Sequence, residues 1–426
     1  MIPTQGVTQM QTGSPGDWRS LLRNGNYIAL WVGQMIAQMG DPFRQMALQI
    51  YVYSVTGSAA ALGALATATA LPALILGPIA GVYVDRWDRR RIMMVSQATR
   101  CLLVLTLVFH PSIAGVYAVG IATAAIGLFY LPARNALLPR LVRGDQLLLA
   151  NSFSMTTGTL LMMVAPALAG LVIGLWGTGV AFAVNSASFA GAALAVLAIR
   201  LPTGRPVAAE PAQAGRTWWH DVREGVGFIR RSPLVRGLLV IFAVQTLGFA
   251  AVPVLQLVFL DRALGLPPSA LGYLMSFFAA GMLVGGLGTA TLGKRVPQTR
   301  LVTIASVGFG AFVLVMANTT WLPLVLLVLA CMGACEAVIN VAVPTLLQQA
   351  VPDELRGRVF SVQNVVLTTL MIAGMGLAGA GAEVLAVQTV FSIGGIISIV
   401  GGLLGFKVLA EPAAAAAPVA ATSTES

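Results

Sequence analysis

Apolar residues fill this chain in long, nearly unbroken stretches separated by short polar connections. A stretch of about 20 such residues is the length at which an α-helix crosses the hydrocarbon core of a bilayer. Measured against that length, the pattern predicts about twelve spans, over 26–52, 58–84, 92–110, 113–131, 147–175, 179–199, 234–260, 268–292, 300–317, 321–346, 356–380 and 384–408. One substantial polar linker, 200–233, divides them. The expected fold class is an all-α membrane protein with twelve transmembrane helices in two pseudo-symmetric six-helix bundles, over 26–199 and 234–408. A 1–25 segment precedes them, and an Ala/Pro-rich tail over 409–426 is expected to be disordered. Inside the linker, Trp218, Trp219, Val222, Val226, Phe228 and Ile229 recur among charges, which predicts an amphipathic helix on the inner membrane surface. The alternative is a loosely structured loop. The halves echo one another weakly: Leu137-Leu138, Val142, Asp145 and Leu147 align, with one gap, with Leu346-Leu347, Val351, Asp353 and Leu355. A repeat at matching positions fits a carrier built from two related halves.

Composition sharpens this picture. Of 426 residues, 57% are hydrophobic and 9% charged, against about a quarter charged in soluble domains. The 46 glycines suit helices that must approach closely without a hydrophobic drive between them. The first residues are polar and end in Arg19 and Arg23, so the first span reads as retained rather than as a cleaved signal. Basic residues then cluster after the second, fourth, sixth, eighth, tenth and twelfth spans, while the intervening loops hold almost none; Arg262 is the exception. That alternation places both termini in the cytoplasm of a cell that carries this protein in its cytoplasmic membrane. It also accounts for the net charge of +10 as topology marking and contact with anionic headgroups, without a nucleic-acid partner. Cys101, Cys331 and Cys335 sit in apolar stretches and read as small buried side chains; no metal or cofactor is expected. His110 and His220 fall near opposite membrane faces and make no catalytic constellation, so the chain does not read as an enzyme.

Two acids fall well inside spans, Asp41 in the first and Glu336 in the tenth. A charge in hydrocarbon costs at least roughly 3 kcal/mol, so such acids usually face an internal cavity. The competing reading for Asp41 is neutralisation by Arg44, three residues on. Gln34, Gln38, Asp41 and Gln45 recur at steps of four, three and four and form one polar stripe on a helix, apart from Met35, Met39 and Met46. Pro42 is expected to kink that helix. On the tenth span Glu336 and Asn340 lie one turn apart, with Met332 a turn before; on the seventh, Gln245 and Gln256 share nearly one face. For these amides, cavity lining and simple helix packing remain alternatives. The candidate substrate cavity comprises Gln34, Gln38, Asp41, Arg44, Gln45, Gln245, Gln256, Met332, Glu336 and Asn340, with Asp41 and Glu336 as proton-coupling candidates. Glu383 is expected at an outer helix end, solvated.

After the second span the chain reads Gly81-Val82-Tyr83-Val84-Asp85-Arg86-Trp87-Asp88-Arg89-Arg90-Arg91. The pattern G-x-x-x-D-R-x-x-R-R at that place resembles the loop motif of the major facilitator superfamily. Gly40-Asp41, Leu71-Pro72-Ala73 with Gly77-Pro78, Arg231-Ser232-Pro233-Leu234-Val235-Arg236, and Val351-Pro352-Asp353-Glu354-Leu355-Arg356-Gly357-Arg358 are similar to its branch of macrolide-efflux proteins and the enterobactin exporter. The resemblance implies alternating access around a cavity lined by the first, fourth, seventh and tenth helices. It implies a cytoplasmic gate at Gly81, Asp85, Arg86 and Arg89, with Arg356 and Arg358 facing it where the eleventh helix begins. Asp85 would then meet the positive end of that helix. The expected partners are a small-molecule substrate, protons and the lipid bilayer, with the protein acting as a monomer. Export of amphipathic or drug-like compounds by proton antiport is the leading expectation; uncoupled or symport carriage of a nutrient, siderophore or lipid is the alternative. There are departures from the family pattern: the fourth span, 113–131, holds no Arg, and Ala165-Pro166-Ala167-Leu168-Ala169-Gly170 is a degraded version of a fifth-helix Gly-Pro motif.

Overall fold

The structure, a computed structural model, describes residues 18–200, 218–293 and 295–408. Within these, the side chains of 78, 79, 81, 82, 85, 86, 218–222, 290, 292, 407 and 408 lie outside the description. Regular structure among the described residues is entirely helical. The helices are α1 (Trp18–Arg23), α2 (Gly25–Thr56), α3 (Ala59–Arg86), α4 (Arg89–Phe109), α5 (Ile113–Gly127), α6 (Tyr130–Leu141), α7 (Leu147–Ala198), α8 (Trp218–Arg231), α9 (Pro233–Phe249), α10 (Val252–Arg262), α11 (Leu271–Leu292), α12 (Gln298–Ala317), α13 (Leu322–Ala350), α14 (Asp353–Val384) and α15 (Val387–Val408).

Local chemistry sets the boundaries. Asn24 accepts from the N–H groups of Asn26 and Tyr27 and so starts α2, while Gly57, at φ 61°, ends it. Ser58, Asp88 and Ser112 cap α3, α4 and α5 in the same way. Helix α2 runs continuously through Pro42. Among the described residues, ten helical stretches are long and apolar enough to cross a membrane. One of them contains α7, whose 52 residues would reach roughly 78 Å if straight, far more than one crossing. The backbone breaks inside it at Gly177 (φ 82°, ψ 175°), a conformation that favours glycine. The expected spans 147–175 and 179–199 lie on either side of that break.

The expected fourth span is too short. The apolar stretch begun by α5 continues through α6 as far as Leu141, interrupted only at 128–129. Arg134 therefore lies within it. The apolar pattern alone ended the span at 131, with Arg134 taken as a basic residue that follows it. The linker helix is present as α8 and packs on α14 and α9.

Two sets of helices pack within themselves. Helix α7 lies against α2 and α4, while α13 lies against α11 and α12, and α15 against α12 and α9. The sets meet chiefly where α3 crosses α14 and α7 crosses α11. Both crossings are built on glycine. A Cβ placed on Gly63 would lie 2.8 Å from Gly379 Cα, and one on Gly170 would lie 2.4 Å from Ser269 O and 3.1 Å from Gly272 Cα. With no side chain between them the backbones touch, which is how dispersion holds helices together in lipid.

Candidate functional site

Helix α2 carries the polar stripe into the first set. Asp41 Oδ1 receives Arg100 Nη2 of α4 at 3.0 Å and Arg44 Nη2 at 3.4 Å. Both guanidiniums are buried, whereas the Asp41 side chain is 31% exposed. Arg100 also stacks on Phe189, its Cζ 4.0 Å from the ring centroid, and donates to Gln97 at 3.3 Å. Two turns back, Gln34 accepts from Arg134 Nε at 3.0 Å, and the same guanidinium donates to Asn135 Oδ1 at 3.0 Å and Ser154 Oγ at 2.7 Å. Gln38 faces α7 at Gly158, whose missing side chain leaves it room.

A cavity of ≈ 300 Å³ opens beside this network, lined by Arg44, Gln45, Gln49, Thr69, Ala70 and Met375 among others. A second, of ≈ 280 Å³, is lined by Ala70, Gln245, Thr246, Glu336, Asn340 and Met371, with Phe242 and Phe249 as its aromatic wall. Ala70 belongs to both. Glu336 accepts from Asn340 Nδ2 at 2.9 Å through Oε1, while its Oε2 is buried without a hydrogen-bond partner among the described residues. Both side-chain polar atoms of Gln245 are likewise buried and unpartnered. Buried groups left in that condition are costly unless water or a ligand meets them. Met332 and Gln256 lie outside both cavities: Met332 is fully buried in the apolar core, and Gln256 is buried along α10. Their spacing put them on the right helices but one face away.

A third cavity, of ≈ 460 Å³, lies between α3, α8 and α14 and shares Thr368 with the Glu336 cavity. The cavities thus follow one another from the α8 end of the protein inward. At the opposite end, hydrogen bonds join the two sets of helices. There Glu383 Oε1 accepts from Ser58 Oγ at 2.7 Å and from the Ala60 N–H at 2.9 Å. Tyr53 donates to Asp261 Oδ2 at 2.8 Å, and Arg262 Nη2 donates to the Gly57 carbonyl at 2.9 Å.

The expected gate lies only partly within view. The side chains of Gly81, Asp85 and Arg86 fall outside the described residues. Arg89 begins α4 and is half-buried. Arg356 pairs with Asp353 at 2.6 Å and donates to the Gln348 carbonyl at 2.8 Å, and Arg358 pairs with Glu224 of α8.

Sequence reading missed Arg100, although a cation in the middle of an apolar span carries the same signal that singled out Asp41. It took Arg134 for a topology marker, and it did not foresee the bonds across the Glu383 end, whose partners lie 323 and 325 residues apart.

An all-helical bundle of apolar spans around largely apolar cavities that carry a few buried polar groups defines a membrane carrier. The chain belongs to the transmembrane secretion effector family, whose model matches residues 18–424, among the transporters of the major facilitator superfamily. It is similar to an uncharacterized MFS-type transporter, YfiS, of Bacillus subtilis (strain 168), at 27% identity over 91% of this chain and 94% of that one. Macrolide efflux protein A of Streptococcus pyogenes is 26% identical over 88% and 93%. The multidrug efflux pump Tap of Mycolicibacterium fortuitum is 28% identical over 87% and 92%. Among solved structures, the fold is shared with the nucleoside transporter NupG, with TM-score 0.73 and 15% identity over 90% of this chain and 98% of that one. It is shared also with a bacterial homologue of the iron transporter ferroportin in an inward-facing state, with TM-score 0.70 and 16% identity over 92% and 98%. The protein is a multi-pass membrane transporter and not an enzyme.

Proposed function

We propose that the protein exports small amphipathic or drug-like molecules across the cytoplasmic membrane by alternating access, in exchange for protons. The observation that carries this reading is a pair of acids within the helical bundle: Glu336, which lines its cavity with one carboxylate oxygen unpartnered among the described residues, and Asp41, partly exposed and paired with Arg44, which lines the adjoining one. A carboxylate held out of water binds a proton more readily, and a nearby cation opposes that. Substrate and proton can then compete for one acid, the simplest physical route to antiport. The apolar walls, rich in Phe and Met, suit greasy substrates. The efflux proteins named above support the direction.

In this reading twelve helices cross the bilayer as two six-helix bundles, 26–199 and 234–408, with 1–25, the 200–233 linker and 409–426 in the cytoplasm. The broken α7 and the long α2 supply the crossings beyond the ten apolar stretches. The α8 end is the cytoplasmic end, by the basic residues at 86–91 and 230–236. The state is then inward-open: the Glu383 end is latched, and the ≈ 460 Å³ cavity leads in from the α8 end. The gate at Gly81, Asp85, Arg86, Arg89, Arg356 and Arg358 would close that end in the other half of the cycle, in a protein working as a monomer.

The test is transport in proteoliposomes under an imposed pH gradient. Asp41→Asn and Glu336→Gln are each expected to abolish gradient-driven substrate movement while both variants reconstitute normally. Wild-type rates in both would remove these acids from the mechanism. Substrate movement independent of the gradient in the wild type would identify an uncoupled carrier.

A further inference from the structure

Charge is divided unevenly between the two inner cavities. On the α2 side, two buried guanidiniums, Arg44 and Arg100, share the carboxylate of Asp41, and a third, Arg134, has no ion pair among the described residues. Arg134 is met by neutral oxygens of Gln34, Asn135 and Ser154. Arg44 reaches Asp41 only at 3.4 Å, leaves its Nε buried and unpartnered, and lines the cavity. On the α13 side the balance is reversed. Glu336 has no ion pair among the described residues, and Oε2 has no hydrogen bond. Arg44 and Glu336 are not paired with one another. Glu336 is a desolvated acid with no counter-charge among the described residues, and Arg44 has only a share of one carboxylate, an arrangement that is costly unless something supplies more.

The two cavities adjoin. Ala70 lines both, and α14 contributes Met371 to the Glu336 side and Met375 to the Arg44 side. Those methionines are one helical turn apart, a step of about 6 Å along the axis. A ligand lying along α14 would meet an anion-seeking guanidinium at one end and a cation-seeking carboxylate at the other. The Phe242 and Phe249 faces beside Glu336 favour a cationic group there, and the fork of Arg44 favours a planar oxyanion.

From this juxtaposition we infer that the transported compound is amphoteric: an amphipathic molecule with a carboxylate or similar anion held at Arg44 and an amine held at Glu336, long enough to reach from one cavity into the other. The inference rests on the cavity being the transport site. A molecule carrying both charges satisfies both ends at once, whereas a simple lipophilic cation leaves Arg44 unmet.

Binding to the purified, reconstituted protein tests this with three fluorescent probes of one scaffold: ciprofloxacin, which carries a carboxylate and an amine, its methyl ester, and its N-acetyl derivative. Wild-type protein is expected to prefer the parent compound by about tenfold over each derivative. Arg44→Gln should erase the preference over the ester, Arg44→Lys should retain part of it, and Glu336→Gln should erase the preference over the N-acetyl form. Thermal unfolding of each variant reports whether the fold survives, and the lysine variant keeps the charge in place should the glutamine variant unfold. Equal binding of parent and ester, with Glu336→Gln still weakening both, would overturn the amphoteric assignment and leave the cavity as the transport site. No binding of any probe also overturns the assignment. Binding unchanged by every variant would overturn both the assignment and the site.

Discussion

Glu383, at the last turn of α14, caps the first turn of α3 by accepting hydrogen bonds from Ser58 Oγ at 2.7 Å and the Ala60 N–H at 2.9 Å. A carboxylate there also meets the positive end of the α3 dipole. Because α3 and α14 belong to different halves of the chain, alternating access as proposed would make this contact only while that end is closed. Glu383 is exposed, so screening leaves the contact worth about 1 kcal/mol. Glu383→Gln keeps the side chain's shape and removes its charge. The expected result is about a fivefold rise in the population open at that end. Spin labels at the exposed Val55 and Val384 would read it as a growing long-distance component. An unchanged distance distribution would show that the cap does not hold the end closed.

A steric contact lies beneath this electrostatic one. Gly63 and Gly379 touch backbone to backbone, and a Cβ on Gly63 would fall 2.8 Å from Gly379 Cα and 3.0 Å from Met375 O. Neither neighbour is a flexible side-chain tip, so nothing can swing aside. Gly63→Val should hold the Glu383 end apart and lower transport at least tenfold, with protein still inserted in the membrane. Gly77 is the control on the same helix. Nothing lies within 4 Å of a Cβ built there, and Gly77→Ala is expected to transport normally. Comparable loss in both variants would point to helix destabilisation rather than to the crossing.

These two contacts mark where sequence reading reaches its limit. The spans were legible because hydrocarbon imposes a length and a polarity on every helix that crosses it. The Gln34–Gln45 stripe was legible because helical spacing alone shows that its members share a face. Glu336 and Asn340 were found for the same reason, and they do line a cavity together. Pairings between distant helices leave no such trace. Nothing near Glu383 in the chain names Ser58 as its partner, and nothing near Asp41 names Arg100. Arg134 was misplaced because a cation beside prolines looks like the end of a span. Its burial depends on Gln34 and Ser154 arriving from other helices. Met332 failed for the opposite reason: its spacing matched, but a thioether has no polar need that would turn it toward water.

The Asp41 cluster separates a structural role from a functional one. Asp41→Asn leaves Arg44 and Arg100 buried beside each other with no counter-charge. The expected cost is about 2 kcal/mol, below the range for fully buried pairs because the Asp41 side chain is 31% exposed. The measurement is the thermal midpoint in detergent. Adding Arg44→Gln to Asp41→Asn removes the like-charge repulsion and should recover most of that midpoint. Gradient-driven transport should remain absent in the double variant if Asp41 carries protons. Recovery of both together would reduce Asp41 to a counter-ion for the arginines.

Ala70 stands where the Arg44 and Glu336 cavities meet, and it is the residue whose size decides whether they form one site. Leucine at this position adds three carbons at the boundary between two spaces of ≈ 300 and ≈ 280 Å³. Met371 and Met375 can yield somewhat, since an unbranched thioether repacks easily, but the α3 backbone cannot. Ala70→Leu should therefore weaken binding of a ligand long enough to touch both charges by at least tenfold. A small amine that needs only Glu336 and its aromatic wall should bind within about twofold of wild type, because that side of the boundary keeps its polar groups. Competition assays with one long and one short ligand measure both constants on the same preparation. Equal weakening of both would mean that the leucine collapses the whole cavity. Equal retention would mean that the two spaces act separately and that no ligand bridges them.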